Sequence, residues 1–147
     1  MTPEDVARRC AETMSERDHV AIDLDMEIVE IGPGQARLRM RVTDTMVNGH
    51  GLAHGGYVFL LADSAFAYAC NTHDRVTVAA AADITFVAPA YTGDLLEALA
   101  TERTRFGRSG LYDVTVRRVP DGAVIAEFRG TSRSRNDRLL NPPEHDA

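Results

Sequence analysis

No lysine occurs in this sequence. All 16 basic residues are arginine, a matter of coding bias rather than of chemistry. Cysteine is scarce: Cys10 and Cys70 offer no paired spacings, which excludes a disulfide framework and points to a reducing compartment. Basic runs are missing too, and a formal charge of −6 excludes an electrostatic nucleic-acid footprint. The longest apolar run, Tyr57 to Cys70, is too short for a membrane span and carries Asp63 inside it. Thr2-Pro3-Glu4-Asp5 lacks the basic-then-apolar layout of a secretory leader. His19, His50, His54, His73 and His145 show no ligand spacing with acids or cysteines, so no metal is expected. These absences describe a soluble, cytoplasmic protein without membrane or nucleic-acid partners.

What remains is an ordinary globular mix, 44% hydrophobic and 26% charged over 147 residues, enough for one domain with a core. We place that domain at residues 1–135. The tail at 136–147, with Asn141-Pro142-Pro143 and no apolar periodicity, is expected to be disordered. Thr2, Pro3 and Asp5 signal a helix start, and Val6, Cys10 and Met14 recur at spacing four, predicting a helix to about His19. Ile22, Leu24, Met26 and Ile28 then alternate with acids, predicting a strand. Gly32-Pro33-Gly34 breaks it, and Ala36 to Val42 alternates again. After His54-Gly55-Gly56 the chain is apolar on every side to Cys70, as in a helix buried all round. Four more strands follow: Arg75–Val87, Leu95–Phe106, one marked by Tyr112, Val114 and Val116, and, beyond Pro120-Asp121-Gly122, one through Val124, Ala126 and Phe128. Helices that do not alternate with strands exclude a doubly wound fold. The pattern is α+β: an antiparallel curved sheet of about six strands wrapped around a long central helix.

The chemistry concentrates between Asn48 and Asp63. A glycine pair opening a helix leaves backbone N–H groups unpaired at the positive end of the dipole. A carbonyl can approach Gly55 closely because it has no side chain. Such a donor suits the oxyanion of a tetrahedral intermediate and is worth ~3–4 kcal/mol; glycine clusters are equally common punctuation. Asp63, a carboxylate in an apolar helix, is desolvated and so a stronger base than a surface aspartate. It attacks directly or activates water, and residue type leaves both open. The plain alternative is a structural aspartate bonded to a nearby amide.

One stretch of motifs resembles a known family. Asn48-Gly49, His54-Gly55-Gly56, Leu61-Ala62-Asp63 and Ala65-Phe66-Ala67-Tyr68-Ala69-Cys70-Asn71 resemble the phenylacetate-degradation (PaaI) branch of the hotdog-fold acyl-CoA thioesterases. Phe86-Val87-Ala88-Pro89, Gly110-Leu111-Tyr112-Asp113 and Phe128-Arg129-Gly130 extend the likeness. The resemblance implies a hotdog fold and hydrolysis of a small, aromatic acyl-CoA, phenylacetyl-CoA or a hydroxylated relative. Coenzyme A is then part of the substrate, and no cofactor is expected. The resemblance places Asp63, Gly55, Asn48 and His54 at the thioester. Asn48 and His54 hold the loop or the attacking water, and bracing of the loop alone is the other reading. The family often has a serine or threonine on the strand after the central helix. Here Val78-Ala79-Ala80-Ala81-Ala82 occupies that strand, leaving Thr77 as a substitute. Gly56, Thr77, Arg105 and Arg108 are the candidate substrate and CoA contacts, with Arg133 and Arg135 as further cations.

Gly55 and Asp63 are eight residues apart, about 12 Å along a helix axis. One thioester carbon needs both partners within roughly 3 Å. One straight helix cannot supply both, so the reading demands a homodimer with shared sites, and the resemblance implies pairing of dimers into a homotetramer. Tyr57, Phe59, Phe66, Tyr68 and Phe86 are candidate walls for an aromatic acyl group. A hotdog dehydratase is disfavoured because it needs an Asp-x-x-x-x-His spacing, and Tyr68 stands five residues after Asp63. A non-catalytic acyl-CoA sensor or carrier on the same fold is the alternative function.

Overall fold

The computed structural model describes residues 1–141. The elements are α1 (Pro3–Ser15), α2 (His19–Asp23), β1 (Glu27–Gly32), β2 (Gln35–Arg41), α3 (Gly55–Cys70), β3 (Thr77–Phe86), β4 (Leu95–Phe106), β5 (Ser109–Val119) and β6 (Val124–Ser134). All six strands form one antiparallel sheet in the order β1-β2-β4-β5-β6-β3. Helix α3 touches every strand, so the sheet wraps it, as the sequence predicts.

The local reasons are in the sequence. Thr2 and Asp5 close a capping box on α1, each side chain accepting from the other's backbone N–H at 3.1 and 3.0 Å. On β2, Ala36, Leu38 and Met40 face inward between arginines. Val114 and Val116 do the same on β5 beside Tyr112. They meet Val58, Leu61, Ala62, Ala65 and Phe66 of α3 in one core.

The first strand is not where alternation puts it. The first helix ends at Ser15, and residues 19–23 form a second helix. Asp18 caps that helix by accepting from the Ala21 N–H at 3.1 Å. Ile22 is therefore helical and exposed, and extended structure starts only after Asp25 turns the chain at positive φ. Five residues are too few for apolar alternation to distinguish a helix from a strand. Of the tail, residues 136–141 lack regular structure but fold back: the Asp74 carboxylate accepts from Arg138 and from the Leu140 N–H, both at 2.8 Å. The rest of the tail lies outside the described residues. No helix among the described residues is long and apolar enough to cross a membrane.

Candidate active site

Helix α3 is less covered than its sequence predicts. Gly56, Leu60, Asp63, Ser64 and Ala67 fall on one stripe at spacings of three and four, and each keeps solvent access. The opposite side is fully buried. The helix packs mainly on β2, β4 and β5, which leaves the stripe facing away from its own sheet.

Asp63 sits midway along that stripe. Desolvation raises its carboxyl above the ordinary aspartate value, and no hydrogen bond or ion pair within the described residues offsets that shift. A structural aspartate would show such a bond, so the carboxylate is held in a costly state without an internal partner.

At the start of the helix, His54 is the N-cap residue, but its side chain makes no capping bond. Its own N–H donates to the Met46 carbonyl at 2.9 Å, fixing the loop's exit. The amides of Gly55 and Gly56 open the helix without acceptors among the described residues, and Tyr57 is the first to bond back, to the His54 carbonyl. The Phe86 ring lies over Gly55. A Cβ there would come within 2.8 Å of the ring's tip, so the glycine leaves one approach to the amide open. Asn48 braces the preceding loop: its Oδ1 accepts from the N–H groups of His50 (2.9 Å) and Leu52 (3.2 Å). Its Nδ2 has no acceptor among the described residues, so Asn48 braces the loop and keeps a free donor.

The aromatic candidates separate. Phe66 and Tyr68 are core: Phe66 packs on Tyr112 and Phe128, and the Tyr68 hydroxyl donates to Asp18 at 2.9 Å. Tyr57 and Phe59 are half-buried, and Phe86 is half-exposed beside Gly55.

Thr77, Arg105 and Arg108 converge at the other end of α3. They border a pocket of about 440 Å³ with Cys70, His73, Arg75, Tyr112, Ser132, Ser134 and Arg135. Thr77 does not reach Asp63. Its N–H donates to the Asn71 Oδ1 at 2.9 Å and its hydroxyl pairs with Ser134 at 3.0 Å. Asn71 is eight residues, about 12 Å, beyond Asp63. Arg75, His73 and the two serines escape sequence reasoning because the pocket is assembled from three separate segments, 70–77, 105–112 and 132–135. Alternation of Gly130, Ser132 and Ser134 along β6 is the one signal that marks its inner face. Burial raises the Cys70 thiol to about 12, which makes it a packing group rather than a nucleophile. Among the described residues no three His, Cys, Asp or Glu side chains converge as a metal site.

Comparison with known proteins places this geometry in context. The sequence model of the family described as Thioesterase superfamily matches residues 50–125. The acyl-coenzyme A thioesterase PaaI of Escherichia coli K12 is 42% identical over 122 residues, covering 83% of this chain and 86% of that one. The E. coli PaaI structure superposes with a TM-score of 0.90 at 37% identity, over 93% of this chain and 99% of that one. A mutant of the phenylacetic acid degradation protein PaaI from Thermus thermophilus gives 0.75 at 34% identity, over 79% and 98%. A Streptococcus pneumoniae thioesterase solved with coenzyme A gives 0.79 at 20% identity, over 85% and 98%, a likeness of fold.

Proposed function

The chain belongs to the thioesterase superfamily, and from that premise we propose that it hydrolyses acyl-CoA thioesters, preferring a small aromatic acyl group of the phenylacetyl or hydroxyphenylacetyl class. The observation that carries the reading is Asp63, a desolvated carboxylate without an internal partner on the uncovered stripe of a helix whose first amides are free. A sensor or carrier would bear the cost of that buried charge without using it.

The chemistry needs two subunits. Gly55 and Asp63 are about 12 Å apart along α3, so the amide and the carboxylate at one carbonyl come from two helices lying antiparallel across a twofold axis. The uncovered stripe and the bare strand β3 supply the surface for that dimer, and pairing of dimers gives a tetramer. In each site the Gly55 N–H of one subunit receives the carbonyl oxygen as it becomes an oxyanion. Asp63 of the other attacks the carbon to give an anhydride, which water then hydrolyses to the free acid and the regenerated carboxylate, or takes a proton from the water that attacks. The tetrahedral intermediate collapses by breaking the C–S bond, and the thiol, with a pKa near 8.5 on the cysteine scale, leaves as thiolate. The free Nδ2 of Asn48 donates to the substrate carbonyl or the attacking water, while His54 anchors the loop. Gly56 leaves room beside the carbonyl. Thr77, Arg105 and Arg108 serve the anionic part of the substrate.

Thiol release from a panel of acyl-CoAs tests the function. Phenylacetyl-CoA should exceed palmitoyl-CoA in kcat/KM, and the reverse order would reject the aromatic preference. Asp63→Asn should lower kcat by at least ~10²-fold. A variant keeping more than about a tenth of wild-type kcat would remove Asp63 from the chemistry. Single turnover in ¹⁸O-water tests the nucleophilic role: label reaching the carboxyl of Asp63 marks direct attack with water opening the anhydride at the aspartyl carbon.

A further inference from the structure

The uncovered stripe of α3 carries two polar side chains, and the reaction as described uses only one of them. Asp63 has its task; Ser64 beside it, among Gly56, Leu60 and Ala67, has none. A serine inside a helix commonly satisfies its hydroxyl on the carbonyl one turn back. Ser64 makes no side-chain hydrogen bond among the described residues, and it keeps solvent access. His54 is in the same condition at the start of the helix. Its imidazole is exposed, makes no capping bond and has no side-chain partner among the described residues. A free hydroxyl and a free imidazole thus stand at two points of one uncovered surface.

Symmetry brings them together, a step that rests on the thioesterase reading and its shared site. There, Gly55 of one subunit lies opposite Asp63 of the other on antiparallel helices. His54 is one residue back from Gly55, and Ser64 is one residue on from Asp63. Because the helices run oppositely, both steps lead the same way in space. Ser64 is therefore as nearly level with the partner subunit's His54 as Asp63 is with the partner subunit's Gly55. Ser64 is also turned about 100° from Asp63, onto the other flank of the stripe, which leaves the reacting carbon to the carboxylate. A hydroxyl both donates and accepts, so it suits either tautomer of the ring. We propose that Ser64 is a positioning residue: its hydroxyl holds the partner subunit's His54, and through it the amide that receives the oxyanion. His54 already donates its N–H to the Met46 carbonyl and directly precedes Gly55. Held at its side chain as well, it fixes the direction of the next N–H, and a misplacement of about 1 Å at such a group costs up to ~10²-fold in rate.

Ser64→Ala should lower kcat about 10-fold with KM within about twofold, because the amide it steadies serves the oxyanion rather than the bound ester. Ser64→Thr keeps the hydroxyl and should stay within about threefold of wild-type kcat. Mixed dimers then separate this latch from a role inside the helix. Chains carrying Asp63→Asn and Gly55→Pro, refolded together, form one intact site from Gly55 of the first and Asp63 of the second. Added to the Gly55→Pro chain, Ser64→Ala strips the hydroxyl from that intact site, and the recovered activity should fall about 10-fold. Added to the Asp63→Asn chain, it falls beside the dead site, and the recovered activity should hold. Equal loss from both placements would make Ser64 a support of its own helix, and no loss from either would leave its hydroxyl idle; each result overturns the latch while the shared site stands. A folded mixture that recovers no activity even without the added change would remove the shared site and the latch together.

Discussion

Strands β1 and β3 both border the sheet, and they meet solvent in opposite ways. Helix α1 lies against β1, and Glu27 and Glu30 point outward along it; both edges carry a register shift, between Ile28 and Glu30 and between Ala79 and Ala81. Charges and a covering helix are among the usual means of keeping an edge from pairing. On β3 the alanines 79–82 are exposed in an unbroken row, and Val78 and Phe86 are each 53% accessible. Asp83 is the only charge on that strand. A long edge of small and apolar residues is a template for another strand. The stripe of α3 that carries Leu60 is a second surface that its own sheet leaves with solvent access. One edge is finished within the chain; in the proposed dimer the other is finished by a second copy, with Gly55 and Asp63 of each site divided across it.

The sharpest way to break the contrast is to charge the open edge. Ala81→Glu/Ala82→Glu puts like charges against their own copies across a twofold axis. Sedimentation should report monomers, and kcat should fall at least ~10²-fold although both catalytic residues remain. Val29→Glu on the closed edge should leave assembly and kcat at wild-type values, with stability changed by no more than about 0.5 kcal/mol. Full activity in a monomer would end the shared-site reading.

Next in size is complementation. Asp63→Asn and Gly55→Pro should each be inactive alone. Proline suits the position, because it is the first residue of α3 and His54 before it has φ −59° and ψ 137°, the extended form a following proline requires. The tip of the Phe86 ring must move aside, which its exposure allows. After joint refolding at equal concentration half the dimers are mixed, each with one intact site, so activity should return to roughly a quarter of wild type. A folded mixture with no recovered activity would place both residues in one subunit's site or in none.

The sequence made part of this legible and hid the rest for physical reasons. Alternation located β2, β5 and β6 because each of them has one buried face, and the capping box announced α1. The apolar run of α3 showed that something must cover it, but not that the sheet leaves the stripe of Gly56, Leu60, Asp63, Ser64 and Ala67 with solvent access, since composition records burial without naming what buries. Thr77, Arg105, Arg108 and Arg135 were candidates from the sequence, but their convergence with Arg75 was hidden because they lie on separate segments that only the fold unites. Asp18, capping α2 and holding Tyr68, likewise gives no local sign of its second partner.

A smaller effect concerns the cost of the site. Burial raises the Asp63 carboxyl, so its protonated form is the one the fold favours. The stability associated with it is fully present below the unfolded value of ~3.9 and is lost as pH rises through the higher folded value. At pH 7 the ionised group therefore opposes folding. Asp63→Asn should raise Tm while abolishing activity, and the gain should vanish near pH 4. The gain should also shrink in the Ala81→Glu/Ala82→Glu monomer, where the stripe stays wet. An equal gain in both backgrounds would show that the partner contributes nothing to the desolvation of Asp63.

The smallest effect belongs to the closed edge. Helix α1 depends on its own capping box. Asp5, exposed and bonded to the Thr2 N–H and to Arg8, has its carboxyl lowered to about 2 by those contacts. A lowered carboxyl contributes stability above the unfolded value near 4, and that contribution is lost as pH falls through 2. Thr2→Ala removes the hydroxyl that accepts from the Asp5 N–H, and loss of such a cap costs about 1 kcal/mol. Because α1 covers the edge that the proposed dimer leaves out, the damage should stay local. Denaturant melts should shift by that amount, while the sedimentation coefficient and kcat stay at wild-type values. A fall in kcat in proportion to the loss of stability would mean that the covered edge also shapes the site, and the division of labour between the two edges would fail.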